Sequence, residues 1–214
     1  MSNPSCVVVD YGIGNVFSVT RALESLGAQV ELTSDKARIK AADRVILPGV
    51  GAFGRAMEVL RHMGLDDCIR EFIATQRPFL GICVGMQVLM EEGLEFGRHQ
   101  GFGFFSGSVE KIEVNDTDGQ AMRVPLIGWN TLRPAGPTRW QGTPFGNENL
   151  RNDVYFVHSF AARATNPDDV AAYVDVGTGQ VVAALQRDNI LGVQFHPERS
   201  ANSGLRFLQG FLAQ

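Results

Sequence analysis

Gly81-Ile82-Cys83-Val84-Gly85 places a thiol between two glycines, where the apolar run Phe79–Ile82 gives way to a helix-like pattern. G-x-C-x-G is the spacing of a nucleophile elbow with sulfur in place of a serine hydroxyl. A sharp strand-to-helix turn strains the nucleophile's backbone and crowds both flanks, so side chains at 81 and 85 would collide. The turn lifts the thiol above the sheet edge, at the start of the following helix, where the dipole favours thiolate over thiol. The amide of Val84 can then point at an oxyanion. A packed core cysteine is the competing reading, and a base must decide between the two.

Gly192-Val193-Gln194-Phe195-His196-Pro197-Glu198 offers that base. Pro197 disfavours helical backbone at His196 and pushes it extended. Residues two apart on extended chain share a side, so Glu198 can orient the imidazole and stabilise its charged form while the other ring nitrogen faces the thiol. A solvated structural histidine beside a surface glutamate is the plainer alternative, and the elbow makes it the weaker one. Val45–Leu47, ending in Pro48-Gly49-Val50-Gly51, is a strand running into a glycine-rich turn. It is placed to give a second N–H to a tetrahedral intermediate, or it is simply a strand-to-helix loop.

Other chemistries fit less well. The chain has 3 cysteines, Cys6, Cys68 and Cys83, widely spaced and without a CxxC pair, which argues against a disulfide framework or structural zinc. Cys6 and Cys68 read as core packing. A thiol redox sensor would need a resolving cysteine, and none is near Cys83 in sequence. His62 and His99 sit among polar neighbours and read as solvated, and His158, ending the run Tyr155–Phe160, reads as structural. No HExxH or Cys/His spacing indicates a metal, and no cofactor is expected. Gly12-Ile13-Gly14 begins like a dinucleotide fingerprint, but the third glycine's place holds Phe17, so the turn reads as a close backbone approach.

These groups need a scaffold. Ser5–Asp10, Val30–Thr33, Val45–Leu47 and Phe79–Ile82 read as strands. Helical patterns run from Val16 through Val19, Leu23 and Leu26 to a stop at Gly27, and over Ala52–Leu60 and Leu65–Ala74. Continuous apolar strands alternating with amphipathic helices imply a parallel sheet covered on both faces. After residue 100, Phe102–Phe105, Val109–Val114, Arg123–Ile127, Val154–Phe160, Val170–Val176, Val181–Gln186 and Ile190–Phe195 read as short strands, several antiparallel, added to one side of the sheet. Arg133–Asn152 reads as a long surface loop, and Ser203–Leu212 as a closing helix. The 214 residues are 44% hydrophobic and 20% charged, which suits one sizeable α/β core, and residues 1–214 are expected to form one domain. A formal charge of −4, without a basic block interleaved with aromatics, argues against nucleic acid. No apolar run approaches the ~20 residues of a membrane span and no signal-type start is evident, so a cytoplasmic location is expected.

Gly81–Gln87 and Gln194–Glu198 together resemble the class I glutamine amidotransferases. The resemblance is narrowest to the glutaminase subunits of imidazole glycerol phosphate synthases. It is carried by Asp10–Asn15, Pro48–Phe53, Pro125–Asn130 and Tyr155–Ser159, in order along nearly the whole chain. It implies a flavodoxin-like α/β fold, with a mostly parallel central sheet, helices on both faces and added antiparallel strands. It implies hydrolysis of L-glutamine through a thioester on Cys83, with His196 as base and then acid and Glu198 orienting it. It places the backbone amides of Val50 and Val84 in the oxyanion hole and Gly51, Gln87 and Glu95 at the substrate. Its partner would be a cyclase subunit with a (βα)8 barrel that receives the ammonia, and Tyr11, Gly12, Asn15, Trp129 and Asn130 match segments at or near that interface. Two positions depart from the family's habit: Phe160 where tyrosine is common after His-Ser, and Arg199 where lysine is frequent after His-Pro-Glu. Glutaminase subunits serving pyridoxal phosphate or anthranilate synthesis would share the triad, and a non-catalytic partner-binding scaffold would keep only the shape.

Overall fold

The computed structural model describes residues 5–146 and 152–214. The first half alternates strand and helix: β1 (Ser5–Val9), α1 (Val16–Ser25), β2 (Gln29–Thr33), α2 (Lys36–Ala41), β3 (Arg44–Gly49), α3 (Phe53–His62), α4 (Leu65–Ala74), β4 (Phe79–Cys83) and the single turn α5 (Val84–Gln87). The second half is nearly all strand: β5 (Met90–Gly93), β6 (His99–Gln100), β7 (Phe105–Lys111), β8 (Leu126–Thr131), β9 (Arg133–Pro134), β10 (Asp153–His158), β11 (Phe160–Ala164), β12 (Val170–Val176), β13 (Gly179–Arg187) and β14 (Ile190–Val193), before α6 (Ala201–Leu212).

The main sheet runs β2-β1-β3-β4-β14-β13-β12-β9. Its first five strands are parallel, and the last three attach antiparallel to one side. Of the runs after residue 100 expected to join this sheet, only Val170–Val176, Val181–Gln186 and Ile190–Phe195 do, the last of them as a parallel strand beside β4, while the others build separate sheets. β3, β4 and β14 are buried at every residue. A strand buried on both alternating faces needs cover on both, which is why these runs are continuously apolar. Helices supply that cover in two groups: α1 packs with α6, and α4 with α2 and α3. Each fully buried Leu, Ile or Phe in these layers contributes about 1.5–3 kcal/mol relative to exposure. Two smaller sheets, β10-β8 and β11-β7-β5-β6, stand beside this core.

Local chemistry explains most boundaries. Helix α1 buries Val16, Val19 and Leu23 and stops where Gly27 takes φ +82°. There the Gly27 amide donates to the Glu24 carbonyl and the Ala28 amide to the Leu23 carbonyl, the paired bonds of a Schellman stop. Helix α2 has no counterpart in the sequence reading. Asp35 caps it, accepting from the Ala37 and Arg38 amides at 2.7 and 3.2 Å, but it buries only Ile39, so no apolar period exists to be seen.

Three further expectations in the second half are corrected. The expected strand at Phe102–Phe105 starts only at its last residue, and β7 takes Phe105–Lys111 as its span. The expected run Val154–Phe160 is two strands in different sheets, parted at Ser159. The Arg133–Asn152 segment, whose residues 147–151 lie outside the described ones, is not merely a surface loop. Arg133–Pro134 joins the main sheet, and Trp140 is buried, stacked on Phe145 at 5.4 Å and donating through Nε1 to the Ala171 carbonyl at 3.0 Å.

Candidate active site

Four neighbouring parallel strands, β1, β3, β4 and β14, end on the same side of the sheet, where crevices of open α/β sheets form. The turns after them bring together Asn15, Val50–Gly51, Cys83–Val84 and His196 on one cleft of about 660 Å³. Gln87, Glu95, Phe96, His158 and Arg199 complete much of its wall.

Cys83 takes φ +56°, ψ −111°, the strained conformation its two glycines permit. A Cβ added at Gly85 would lie 1.8 Å from the Leu47 carbonyl oxygen, and one at Gly81 would lie 2.5 Å from the Gly85 oxygen. Both positions therefore demand glycine by close approach of backbone. The helix after the elbow corrects the expectation: α5 is 4 residues, one turn, before the chain enters β5. A one-turn helix sums few peptide dipoles, so the sulfur's environment comes mainly from side chains.

The base is held from three directions. His196 is extended at φ −100°, ψ 96°, as Pro197 requires, while Pro197–Arg199 turns as 3-10 helix. It is this turn, rather than strand alternation, that swings Glu198 back under the ring. Glu198 Oε1 accepts from His196 Nδ1 at 2.9 Å and from Asn15 Nδ2 at 3.2 Å, and its side chain is wholly buried. The His196 amide donates to the Tyr155 carbonyl at 2.9 Å, and the Ser200 hydroxyl donates to the His196 carbonyl at 2.6 Å. When the ring is neutral its proton sits on Nδ1, pointing at the carboxylate, and Nε2 carries the lone pair.

Burial works against the charged form of His196, but the Cys83 sulfur and Glu198 outweigh it and raise its pKa above the usual histidine range. Nε2 nevertheless makes no closed hydrogen bond, so ring and sulfur are close without being locked, a geometry that substrate binding commonly tightens. This arrangement favours the charged imidazolium, with the carboxylate balancing the ring.

Further polar groups of the same cleft are also tied together. Gln87 Nε2 donates to the Phe160 carbonyl at 2.9 Å and to Gln194 Oε1 at 3.0 Å, and Gln194 Nε2 lies 3.7 Å from Cys83 Sγ. Glu95 Oε2 accepts from the Phe53 amide at 3.0 Å, which pins one carboxylate oxygen. Gly51 takes φ +85°, and Val50 and Val84 line the same cleft as Cys83. His158, read as structural from sequence, is indeed buried and bonded through Nδ1 to the Phe160 carbonyl at 2.8 Å, but its ring also borders the cleft. Burial pushes it down to about 4, against the pull of the Phe160 carbonyl.

The segments matched to a partner surface divide. Gly12 and Trp129 are exposed, Trp129 at 54%, and Asn130 is half-buried. On β8 and β10, Ile127 and Trp129 lie opposite Val157 and Tyr155, and Trp129 meets Tyr155 edge to face at 6.1 Å. Tyr155 in turn lies under the Arg199 guanidinium at 4.5 Å. Tyr11 is a correction: it is 2% exposed, and its hydroxyl fills the space a side chain at Gly49 would need. Burial, then the nearby Cys83 charge, raises its pKa. Tyr11 supports the elbow from beneath and has no outer face to offer. Asn15, also expected at the partner surface, is bonded to Glu198. Sequence reasoning missed that role and missed Gln194 altogether, although Gln194 lies inside the quoted motif and a glutamine in an apolar strand end is itself a signal.

The sequence model of the glutamine amidotransferase class-I family matches residues 7–214. The chain is 44% identical over 215 residues to "Imidazole glycerol phosphate synthase subunit HisH" of Mesorhizobium japonicum, covering 96% of each. It is 41% identical over 210 residues to "Imidazole glycerol phosphate synthase subunit HisH 1" of Legionella pneumophila, covering 97% of this chain and 98% of the relative. Among solved structures, PurLQS from Thermotoga maritima superposes with a TM-score of 0.73 at 21% identity, covering 99% of this chain and 98% of that one, a likeness of fold. The match over nearly the full length, with the elbow cysteine, histidine and glutamate gathered at one cleft, places this chain in the class I glutamine amidotransferase family.

Proposed function

We propose that this chain is the glutaminase subunit of an imidazole glycerol phosphate synthase, with residues 1–214 acting as one domain. The observation that carries the chemistry is the meeting of Cys83 and the Glu198-oriented His196 in one cleft. Strands from both ends of the chain share one sheet, which supports a single unit. Relatives at 41–44% identity bearing the synthase name support the narrower assignment.

In the proposed reaction, His196 Nε2 takes the Cys83 thiol proton and the sulfur attacks the side-chain amide carbon of L-glutamine. The carbonyl oxygen gathers the displaced electron pair, and the Val84 and Val50 amides donate to it. The C–N bond breaks as His196 passes its proton to nitrogen, releasing ammonia and leaving a γ-glutamyl thioester. His196 then takes a proton from water, whose oxygen attacks the thioester, and glutamate leaves as the sulfur is restored. Gln87 has both hydrogens of its bonding nitrogen engaged and presents Oε1 to the pocket, where it can accept from the substrate's ammonium; Glu95 can balance the same charge.

Ammonia is mostly protonated near neutral pH, and only the neutral form is a nucleophile. A covered route to a second enzyme therefore follows, and the proposed partner is a cyclase subunit with a (βα)8 barrel. The outward apolar row of Ile127, Trp129, Tyr155 and Val157 beside the cleft suits that role. No helix among the described residues is long and apolar enough to cross a membrane, and a cytoplasmic location accords with soluble substrates.

Cys83→Ala tests the assignment in the reconstituted complex. Glutamine-dependent synthesis should vanish while added ammonia still supports it. Retained glutamine-dependent activity would remove Cys83 from the reaction, and loss of both activities would remove the division of labour.

A further inference from the structure

Strand β14 runs parallel to β4 with Gly192 opposite Gly81 and Val193 opposite Ile82, so the next residue, Gln194, lies beside Cys83. It is 0% exposed among apolar neighbours, and its own amide donates to the Ala183 carbonyl at 2.9 Å. A buried carboxamide carries a desolvation cost unless both ends are bonded. One end meets Gln87 and the other meets the sulfur.

The direction of this chain follows from its far end. The Phe160 carbonyl can only accept, so the Gln87 atom 2.9 Å away must be its nitrogen. That same nitrogen is 3.0 Å from the Gln194 amide, so the Gln194 atom it meets must be the oxygen. Nε2 is then left at 3.7 Å from Cys83 Sγ. An N–H aimed at sulfur is worth more to S⁻ than to S–H, because a hydrogen bond to an ionised acceptor is the stronger one. With α5 only one turn long, this donor takes up the part that a long helix would have played.

We propose that Gln194 is a positioning residue of the glutaminase site, its carboxamide holding the Cys83 sulfur as thiolate and itself held in that orientation by Gln87. The inference rests on the reading of Cys83 as nucleophile. It also ties the substrate pocket to the nucleophile: Gln87 lines the cleft, so a ligand that turns its amide also turns the donor on the sulfur.

The test is the pH profile of Cys83 alkylation by iodoacetamide in the full chain, followed on the Cys83 peptide, for wild type, Gln194→Met and Gln194→Glu. The titratable groups facing the sulfur and its partners are His196, Glu198, Tyr11 and His158, with Glu95 and Arg199 on the cleft wall. All remain in both variants. Gln194→Met keeps length and removes the donor; alkylation at neutral pH should slow about tenfold, with the profile's midpoint moving up. Gln194→Glu sets a negative charge or an acceptor against the sulfur and should move it further in the same direction. Glutaminase kcat should fall in step, with KM for glutamine changing less. Gln87→Leu should shift the profile the same way, and by little more when combined with Gln194→Met. A wild-type alkylation profile in folded Gln194→Met would overturn the proposal, as would an equal shift in a buried control such as Val193→Ala. If Gln194→Met does not fold, the isosteric Gln194→Glu decides by the same profile. Glutaminase activity that survives Cys83→Ala would instead overturn the underlying reading, while the alkylation profile of chains that keep Cys83 would still report whether the amide meets the sulfur.

Discussion

The floor and the rim of the cleft are built on opposite terms. Under Cys83 the backbones of β3, β4 and the elbow approach so closely that Gly49, Gly81 and Gly85 have no room for a side chain. The rim continues from Val157, which lines the cleft, onto the paired strand β8, where Ile127 at 60% and Trp129 at 54% exposure stand in solvent; Phe96 on another wall is 89% exposed. A nucleophile must be held to a fraction of an ångström, and dense packing does that. An apolar rim costs the isolated chain little stability and acquires its value only when something covers it. Precision and adaptability are thus separated by a few residues in one site.

The strongest way to break the floor is Gly85→Ala. Its new methyl would meet the Leu47 carbonyl, so destabilisation of roughly 4 kcal/mol or more is expected in urea unfolding. A loss below about 1 kcal/mol would mean the turn can move aside. Glu198→Gln keeps shape but removes the charge behind His196. It should lower glutaminase kcat by roughly 10³-fold, or about 4 kcal/mol in barrier, with the fold intact by circular dichroism.

His158 stands between floor and rim and tests burial by pH. Its folded value of about 4 lies below the ordinary 6.5, so between those values the unfolded chain binds more protons and stability falls as pH falls. The effect is absent above about 6.5 and complete below about 4. His158→Gln should flatten that part of the stability–pH curve by up to about 3 kcal/mol across the window. An unchanged slope would place the imidazole in contact with water. Trp129→Ala is the smallest perturbation: unfolding free energy should change by less than about 1 kcal/mol, while activation of glutamine hydrolysis by the proposed cyclase should weaken.

Much of the floor was legible before any coordinates, because steric demands leave few choices of residue. Glycines two before and two after a cysteine, and a proline after a histidine, are constraints on backbone that act within a few residues. The parallel half of the sheet was legible for a related reason: strands buried on both faces must be apolar throughout. Helix α2 was not, because one buried isoleucine makes no period. The break at Ser159 was not, because two strands of different sheets can share one apolar run. Tyr11 was placed at the partner surface with the whole segment Tyr11–Asn15, and a segment match does not say which of its side chains turn inward; the crowding at Gly49 shows that this one does. Asn15 and Gln194 were overlooked in their bonding roles because their partners, Glu198 and Cys83, are 183 and 111 residues away along the chain.

The 2 tryptophans occupy opposite environments. Trp140 is sealed at 1% exposure with its indole nitrogen bonded, whereas Trp129 stands at the rim. Emission from the first should stay blue and resist acrylamide as long as the chain remains folded, and emission from the second should be red and easily quenched. The molecule therefore carries an internal standard beside an optical sensor, and a titration with the proposed cyclase that shifts only the red component would report contact at Trp129.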